Sequence, residues 1–169
     1  MRVILCGGGT AGHVTPAIAI AEGILGKIPD AKILFVGREG GEENQAVKNK
    51  GFELRTVKIC GFERKISLKN FKNLKTAVSA LRKAKSIIKE FSPDAVIGTG
   101  GYVCWPVIKA AQGMKIPTLI HESNACPGLS ARLLAKRCDR VLLNLQGSQK
   151  EFKKQSNIRE GEKSPSHTQ

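Results

Sequence analysis

The 169-residue sequence predicts an α/β fold, in which a parallel sheet is covered by helices on both faces. Short apolar runs alternate along the chain with longer stretches of helical periodicity, and this alternation is typical of βαβ units. The short runs are mostly apolar, as expected of strands that are covered on both sides. We therefore expect a Rossmann-like domain.

The elements follow in order from local signals. The first strand ends in glycines, the fourth follows Ser92-Pro93, which ends a long helix, and the fifth begins at Pro117. Strands are predicted at residues 2–6, 32–36, 53–59, 94–97, 117–120 and 140–143. Helices are predicted at residues 14–25, 43–50, 70–91, 105–112 and 129–136.

The long helix over residues 70–91 carries apolar residues at three- and four-residue spacing. This period predicts a stripe that faces the core, formed by Phe71, Leu74, Val78, Leu81, Ala84, Ile88 and Phe91. After Gln149 the chain becomes polar and loses its periodicity, so we expect disorder over residues 160–169.

Charge and cysteine content narrow the possible classes of protein. The chain has 28 Lys and Arg against 14 Asp and Glu, a net charge of +14, and nine of the basic residues lie between Arg64 and Lys89 without an acidic one. Such a face should attract polyanions, either anionic lipid headgroups or nucleic acid. The five cysteines are scattered, which favours reduced thiols in a cytosolic protein over a disulfide framework or a zinc site.

The first glycine loop, Cys6-Gly7-Gly8-Gly9-Thr10-Ala11-Gly12-His13, joins a predicted strand to a predicted helix. Glycines allow a tight turn and close approach of a ligand to the backbone, and a helix N-terminus attracts phosphate. His13 lies where an imidazole could hydrogen-bond a bound diphosphate or act as a base beside it. The loop predicts a site for a diphosphate-bearing substrate.

Other interpretations of this loop remain open. Gly7, Gly9 and Gly12 also satisfy the dinucleotide-binding fingerprint, although the second strand is followed by Arg38, where an acidic residue is usual. A nicotinamide-dependent oxidoreductase is therefore one alternative, and a non-catalytic basic module that binds membranes or polyanions is another. A glycine turn that only packs a helix against the sheet is the structural alternative. A P-loop NTPase is excluded because no Gly-Lys-Ser/Thr follows.

Two further loops should lie at the same edge of the sheet as the first. Gly98-Thr99-Gly100-Gly101-Tyr102-Val103-Cys104-Trp105-Pro106 follows the fourth strand, and His121-Glu122-Ser123-Asn124-Ala125-Cys126-Pro127-Gly128 follows the fifth. Ligands of open parallel sheets bind beyond the carboxyl ends of the strands. Three loops with polar side chains or glycines at this edge predict a single ligand site.

The three loops together resemble those of the MurG family, which belongs to glycosyltransferase family 28. Gly8–Ala17, Gly100–Pro106 and His121–Gly128 are similar to three family motifs, in the family's order and at natural spacing. The chain departs from these motifs at Ala11, Cys104 and Ser123, where the family has glycine, serine and glutamine. The resemblance runs from Met1 to about Arg159.

The resemblance implies the N-terminal half of a GT-B glycosyltransferase, in which two Rossmann-like domains face a cleft. Residues 1–159 would form the acceptor-side domain, and residues 160–169 a divergent tail. The family's Asn-Pro-hydrophobic-Arg segment, which leads into the donor domain, is missing after Arg159. We therefore expect that the donor domain is absent from this chain and that the chain alone is inactive.

The resemblance also implies roles for individual residues. His13 becomes the candidate general base. Thr10, Ala11 and Gly12 match positions that approach the donor, Asn124 matches an amide that contacts the donor sugar, and Glu122 would orient a substrate hydroxyl or support its loop. Gly100, Gly101 and Tyr102 would form a second turn that holds the acceptor diphosphate.

The reaction implied by the resemblance belongs to peptidoglycan synthesis. It transfers N-acetylglucosamine from UDP-N-acetylglucosamine to undecaprenyl-diphosphate-linked muramyl-pentapeptide, at the cytoplasmic face of the cell membrane. We expect peripheral attachment to an anionic membrane surface, and neither a cofactor, a metal site nor a nucleic-acid partner.

Overall fold

The computed structural model describes residues 1–41, 44–59, 68–145, 148–152 and 158–160. Within them lie seven strands: β1 (Arg2–Gly7), β2 (Lys32–Arg38), β3 (Glu53–Val57), β4 (Ala95–Gly100), β5 (Thr118–Glu122), β6 (Arg140–Leu143) and β7 (Ile158–Glu160). The helices are α1 (Ala11–Lys27), α2 (Asn44–Asn49), α3 (Leu68–Phe91), α4 (Cys104–Gly113) and α5 (Leu129–Ala135), and a 3₁₀ turn covers Ser148–Glu151.

The seven strands form one parallel sheet in the order β3-β2-β1-β4-β5-β6-β7. The strand order runs outward in both directions from the centre, so the connections reverse between β1 and β4. This arrangement is a doubly wound Rossmann-like sheet, and the predicted fold class is confirmed. In such sheets the crevice at the reversal point is the usual place for a ligand.

Helices cover both faces because side chains along each strand alternate between them. Val3 and Leu5 of β1 pack with α1 and α2, in a core layer that also contains Ile33, Phe35, Val14, Ala17 and Val47. Ile4 and Cys6 point to the opposite face, where the layer also contains Val36, Val96, Ile120, Ala84, Ile88 and Ile108. The sheet is therefore buried on both sides, as its apolar strands predict.

The face that α3 buries differs from the predicted stripe. Ala84, Ile88 and Phe91 are buried and Leu81 packs at the margin of the core, as predicted, but Val78 is 42% exposed and its assignment was wrong. Among the described side chains of α3, the other buried residues are Ala77, Ala80 and Ile87. Phe71 and Leu74 lie outside the described side chains. The core-facing stripe of α3 thus contains three alanines beside Ile87, Ile88 and Phe91.

Strand β7 was not predicted from the sequence. Its three residues pair in parallel with β6, and the last pair joins Leu143 to Glu160. Glu160 is therefore part of the sheet, whereas the prediction of a disordered tail placed it beyond the fold. The rest of that tail, residues 161–169, lies outside the described residues.

Candidate active site

The loops that follow β1 and β4 touch each other at the reversal point of the sheet. The Gly8 N–H donates a hydrogen bond to the Gly100 carbonyl oxygen, with a nitrogen–oxygen distance of 3.3 Å. Gly101 has φ +83°, and a Cβ there would collide with the Gly8 carbonyl. Only glycine fits this crossing. Because Gly8 is buried and its N–H is already bonded, that N–H is not available to a phosphate.

Thr99 ties the start of α1 to β4. Its side chain is fully buried, and its hydroxyl donates to the His13 carbonyl oxygen at 2.6 Å, with the Cys6 carbonyl oxygen at 3.4 Å. A single hydroxyl proton can serve one of these acceptors at a time, and the shorter distance favours His13. Sequence analysis gave Thr99 no role, although a polar residue between two glycines at a strand end is a usable signal.

Cys104, which stands where the family has serine, also holds the two loops together. Its Sγ lies 3.1 Å from the Cys6 carbonyl oxygen and 3.0 Å from the Gly100 carbonyl oxygen. The side chain is buried at the first position of α4. Burial, together with the Cys104 thiol, raises the pKa of the neighbouring Cys6 thiol well above its usual value. Cys6 therefore stays protonated and structural.

His13 lies in the first turn of α1, with its imidazole against Gly100. A Cβ at Gly100, which has φ +125°, would collide with the His13 ring. The imidazole Nδ1 is buried and has no hydrogen-bond partner among the described residues. The half-buried ring borders the pocket described below. The missing side chain at Gly100 therefore provides the space that His13 occupies.

The third loop begins with a buried carboxylate at the end of β5. Glu122 is 4% exposed, and its Oε1 accepts hydrogen bonds from the Asn124 backbone N–H at 2.9 Å and from the Asn124 Nδ2 at 2.8 Å. On the adjacent His121, burial lowers the pKa below its usual value, while the Glu122 charge acts in the opposite direction. The His121 Nδ1 is buried without a partner among the described residues.

These loops enclose a pocket of about 600 Å³ at the carboxyl edge of the sheet. Six of the nine predicted site residues line it: His13, Gly100, Gly101, Tyr102, Glu122 and Asn124. Thr10, Ala11 and Gly12 are exposed at the start of α1, outside the lining. The structure thus brings together residues from all three loops.

Part of the pocket lining is apolar, and the sequence analysis did not predict it. The apolar lining comes from Ile59, Trp105, Ile120, Leu129, Leu133 and Leu134. Leu129 and Leu133 of α5 are 74% and 49% exposed. Two leucines four residues apart, directly after a polar loop, were the available signal.

Two helices begin at this edge without side-chain caps. Neither the Thr10 side chain at the start of α1 nor the residue before α4 caps its helix, and neither first turn contains an acidic residue. Uncapped helix N-termini carry partial positive charge that favours an anionic ligand. Among the described residues, no group of three or more His, Cys, Asp or Glu could hold a metal ion.

Comparison with known proteins agrees with the geometry. Residues 3–143 match the family model described as the glycosyltransferase family 28 N-terminal domain. A relative from Acetivibrio thermocellus is 47% identical over 158 residues, which are 94% of this chain and 43% of the relative. One from Clostridioides difficile is 49% identical over 152 residues, 90% of this chain and 37% of the relative. Both are named UDP-N-acetylglucosamine–N-acetylmuramyl-(pentapeptide) pyrophosphoryl-undecaprenol N-acetylglucosamine transferase.

Solved structures show the same fold. MurG from Acinetobacter baumannii superposes with a TM-score of 0.80 at 27% identity, over 97% of this chain and 46% of that protein. A UDP-GlcNAc 2-epimerase from Methanocaldococcus jannaschii, at a TM-score of 0.65 and 11% identity over 94% of this chain and 45% of that protein, shares the fold alone. The chain spans less than half the length of these relatives. The family match favours the transferase over the oxidoreductase and binding-module alternatives, and the chain belongs to glycosyltransferase family 28, matching its N-terminal domain.

Proposed function

We propose that this chain is the acceptor-side domain of an inverting GT-B hexosyltransferase of peptidoglycan synthesis. The enzyme transfers N-acetylglucosamine from UDP-N-acetylglucosamine to undecaprenyl-diphosphate-linked muramyl-pentapeptide. The observation that carries the proposal is the contact between the two glycine loops at the reversal point of the sheet, where His13, Gly100 and Gly101 line one pocket. The 47% and 49% sequence identity to two relatives that are named as N-acetylglucosamine transferases supports the same reaction.

His13 is the group that we assign as general base. It would take the proton of the acceptor sugar hydroxyl while that oxygen attacks the anomeric carbon of the donor and UDP departs. The imidazole Nδ1 is buried against Gly100, so we assign the proton transfer to Nε2. Positioned bases of this kind typically contribute about 10²–10⁴-fold to the rate.

The charge of the diphosphate would be met by backbone and helix ends. The uncapped starts of α1 and α4 supply partial positive charge, and Gly100, Gly101 and Tyr102 form the turn that we assign to the acceptor diphosphate. Thr10, Ala11 and Gly12 would approach the donor from the exposed start of α1. Asn124 would contact the donor sugar from the third loop.

We place the protein at the cytoplasmic face of the membrane, attached peripherally to anionic lipid. Among the described residues, no helix has both the length and the apolar character needed to cross a bilayer. The attachment surface that we propose comprises Phe62, Ile66, Leu68 and the basic residues Arg64, Lys65, Lys69, Lys72 and Lys75. Residues 60–67 and the side chains of residues 68–74 lie outside the described part. A solvated basic face is the alternative.

The function is tested by adding the half of a relative that this chain does not match. Residues 1–159 are fused to the C-terminal half of the Acetivibrio thermocellus relative, and transfer of radiolabelled N-acetylglucosamine is measured. His13→Ala should lower kcat of the fusion by about 10²–10⁴-fold, because the general base is lost. The 169-residue chain alone should transfer no sugar, since donor contacts belong to the other half.

Gly113→Ala is the matched control, because Gly113 ends α4 with open space around it. This variant should retain the activity of the unmodified fusion. Unchanged kcat in the His13→Ala fusion would contradict the assigned base. Transfer by the chain alone, above the level of its own His13→Ala variant, would contradict the assignment of this domain to the acceptor side only.

A further inference from the structure

Glu122 stands out because it is the one buried carboxylate among the described residues. A carboxylate removed from water is costly unless N–H groups donate to it. Both hydrogen bonds found at its Oε1 come from the same residue, Asn124, through the backbone N–H and the side-chain Nδ2. The carboxylate is therefore engaged with its own loop.

These bonds determine which way the Asn124 amide points. The Glu122 oxygen is an acceptor, because it already accepts the Asn124 backbone N–H at 2.9 Å. An amide turned by 180° would set its carbonyl oxygen against that acceptor, and the bond would be lost. The Nδ2 must therefore face Glu122. The Asn124 Oδ1 has no hydrogen-bond partner within the described part of the chain, and the exposed side chain borders the pocket.

We propose that Glu122 is a positioning residue that holds the Asn124 amide with its nitrogen toward β5 and its carbonyl oxygen toward the ligand. Asn124 then presents a fixed acceptor, which selects a ligand group that donates a hydrogen bond, a sugar hydroxyl or an amide N–H. The selection rests on the proposed function, because that function supplies the sugar. The orientation rests on the two hydrogen bonds alone.

The orientation is tested on the 169-residue chain without any ligand. Nitrogen-15 NMR would measure hydrogen exchange of the Asn124 side-chain amide, which we expect to be about tenfold slower than exchange of an exposed amide. Glu122→Gln keeps an acceptor oxygen and should retain the protection, whereas Glu122→Ala should remove it. The internal reference is the exposed side-chain amide of Gln45, which donates a hydrogen bond to the Asn49 Oδ1 at 2.8 Å without a buried acceptor. An Asn124 amide that exchanges equally fast with and without Glu122 would overturn the orientation.

The positioning role is tested in the fused enzyme by a double-mutant cycle. Asn124→Ala and Glu122→Ala should each lower kcat/KM by about tenfold, and the double variant should lose no more than either single variant, because Glu122 acts through Asn124. Glu122→Gln should restore most of the activity. Independent losses that multiply in the double variant would show that Glu122 has a merely structural role or its own contact with substrate, and would overturn the proposal.

The selected group is identified with donor analogues in which one sugar hydroxyl at a time is a methyl ether, which cannot donate a hydrogen bond. Relative to the natural donor, the unmodified fusion should lose about tenfold in kcat/KM with one of these analogues. The Asn124→Ala fusion should lose no more with that analogue than with the others. Equal discrimination by both proteins would overturn the selection. A fusion without any transfer would overturn the proposed function and the selection with it, while the exchange experiment decides the orientation separately.

Discussion

At the scale of single residues, His13 and Gly100 depend on each other although 87 positions separate them. Gly100 has φ +125°, a conformation that side chains other than glycine rarely adopt, and the His13 ring occupies the space beside its Cα. The histidine that we assign as base is thus positioned by the absence of a side chain on a neighbouring strand. Any side chain at residue 100 must push the imidazole away.

Gly100→Ala should therefore destabilise the fold by about 3 kcal/mol, because backbone strain adds to the collision with the ring. Gly40 is the matched control: it also has a positive φ, +69°, but open space around it, so Gly40→Ala should cost about 1 kcal/mol of strain. Urea unfolding of both variants measures the difference. In a His13→Ala background the cost of Gly100→Ala should fall, leaving only the backbone strain of φ +125°. An unchanged cost would show that the two residues do not compete for space.

The part of the candidate site that could be predicted from the sequence is the part formed by residues within the glycine loops and the polar loop. Short motifs identify His13, Gly100, Glu122 and Asn124 because unusual residue types cluster there. The contacts between loops could not be predicted, since they depend on the order of strands in space. The bond from Gly8 to Gly100 and the bond from Thr99 to His13 both join residues that only the sheet brings together.

At the scale of elements, α3 illustrates how a periodic pattern can be right for most positions and wrong for one. Val78 fits a three- and four-residue spacing but is exposed, whereas Ala77 and Ala80, which were not predicted, are buried. Alanine is weakly apolar, so its positions contribute little to a pattern of large residues. In the structure these alanines are as buried as Ile87 and Ile88, so a pattern of large residues alone misjudges which positions turn inward. Strand β7 was missed for a related reason, because three residues are too few to show any period.

Ala84→Leu should destabilise the protein by about 1–3 kcal/mol, because Ala84 is 1% exposed and the larger side chain would overpack the core. Val78→Leu also introduces a leucine on the same helix, at a position that is 42% exposed, and should change stability by less than about 0.5 kcal/mol. Denaturant unfolding of the two variants side by side checks the assignment. Equal destabilisation by both changes would restore Val78 to the core-facing stripe.

At the scale of the whole molecule, the position of the pocket follows from topology. A parallel sheet and six of its strands could be predicted from the sequence. The alternation of strand and helix patterns along the chain indicates this fold even where the predicted bounds of an element are wrong by a few residues. The strand order could not be predicted from the sequence, and this order brings the ends of β1 and β4 together.

Charge is the other property that belongs to the scale of the whole molecule. The basic segment begins at Arg64, five residues after Ile59, which lines the pocket.

Vesicle co-sedimentation tests whether that segment binds a membrane. The chain should bind vesicles that contain anionic lipid and should dissociate as salt rises, because Debye screening weakens surface attraction. Changing Lys65, Lys69 and Lys72 to glutamate should abolish this binding. Changing Lys27, Lys32 and Lys48 to glutamate alters the net charge by the same amount. These exposed residues lie near the edge of the sheet opposite the pocket, and their change should leave most of the binding intact. An equal loss in both triple variants would mean that the net charge of +14, rather than a specific docking surface, attracts the protein to lipid. Equal binding to neutral vesicles would remove the electrostatic part altogether and leave the apolar residues Phe62, Ile66 and Leu68 as the cause.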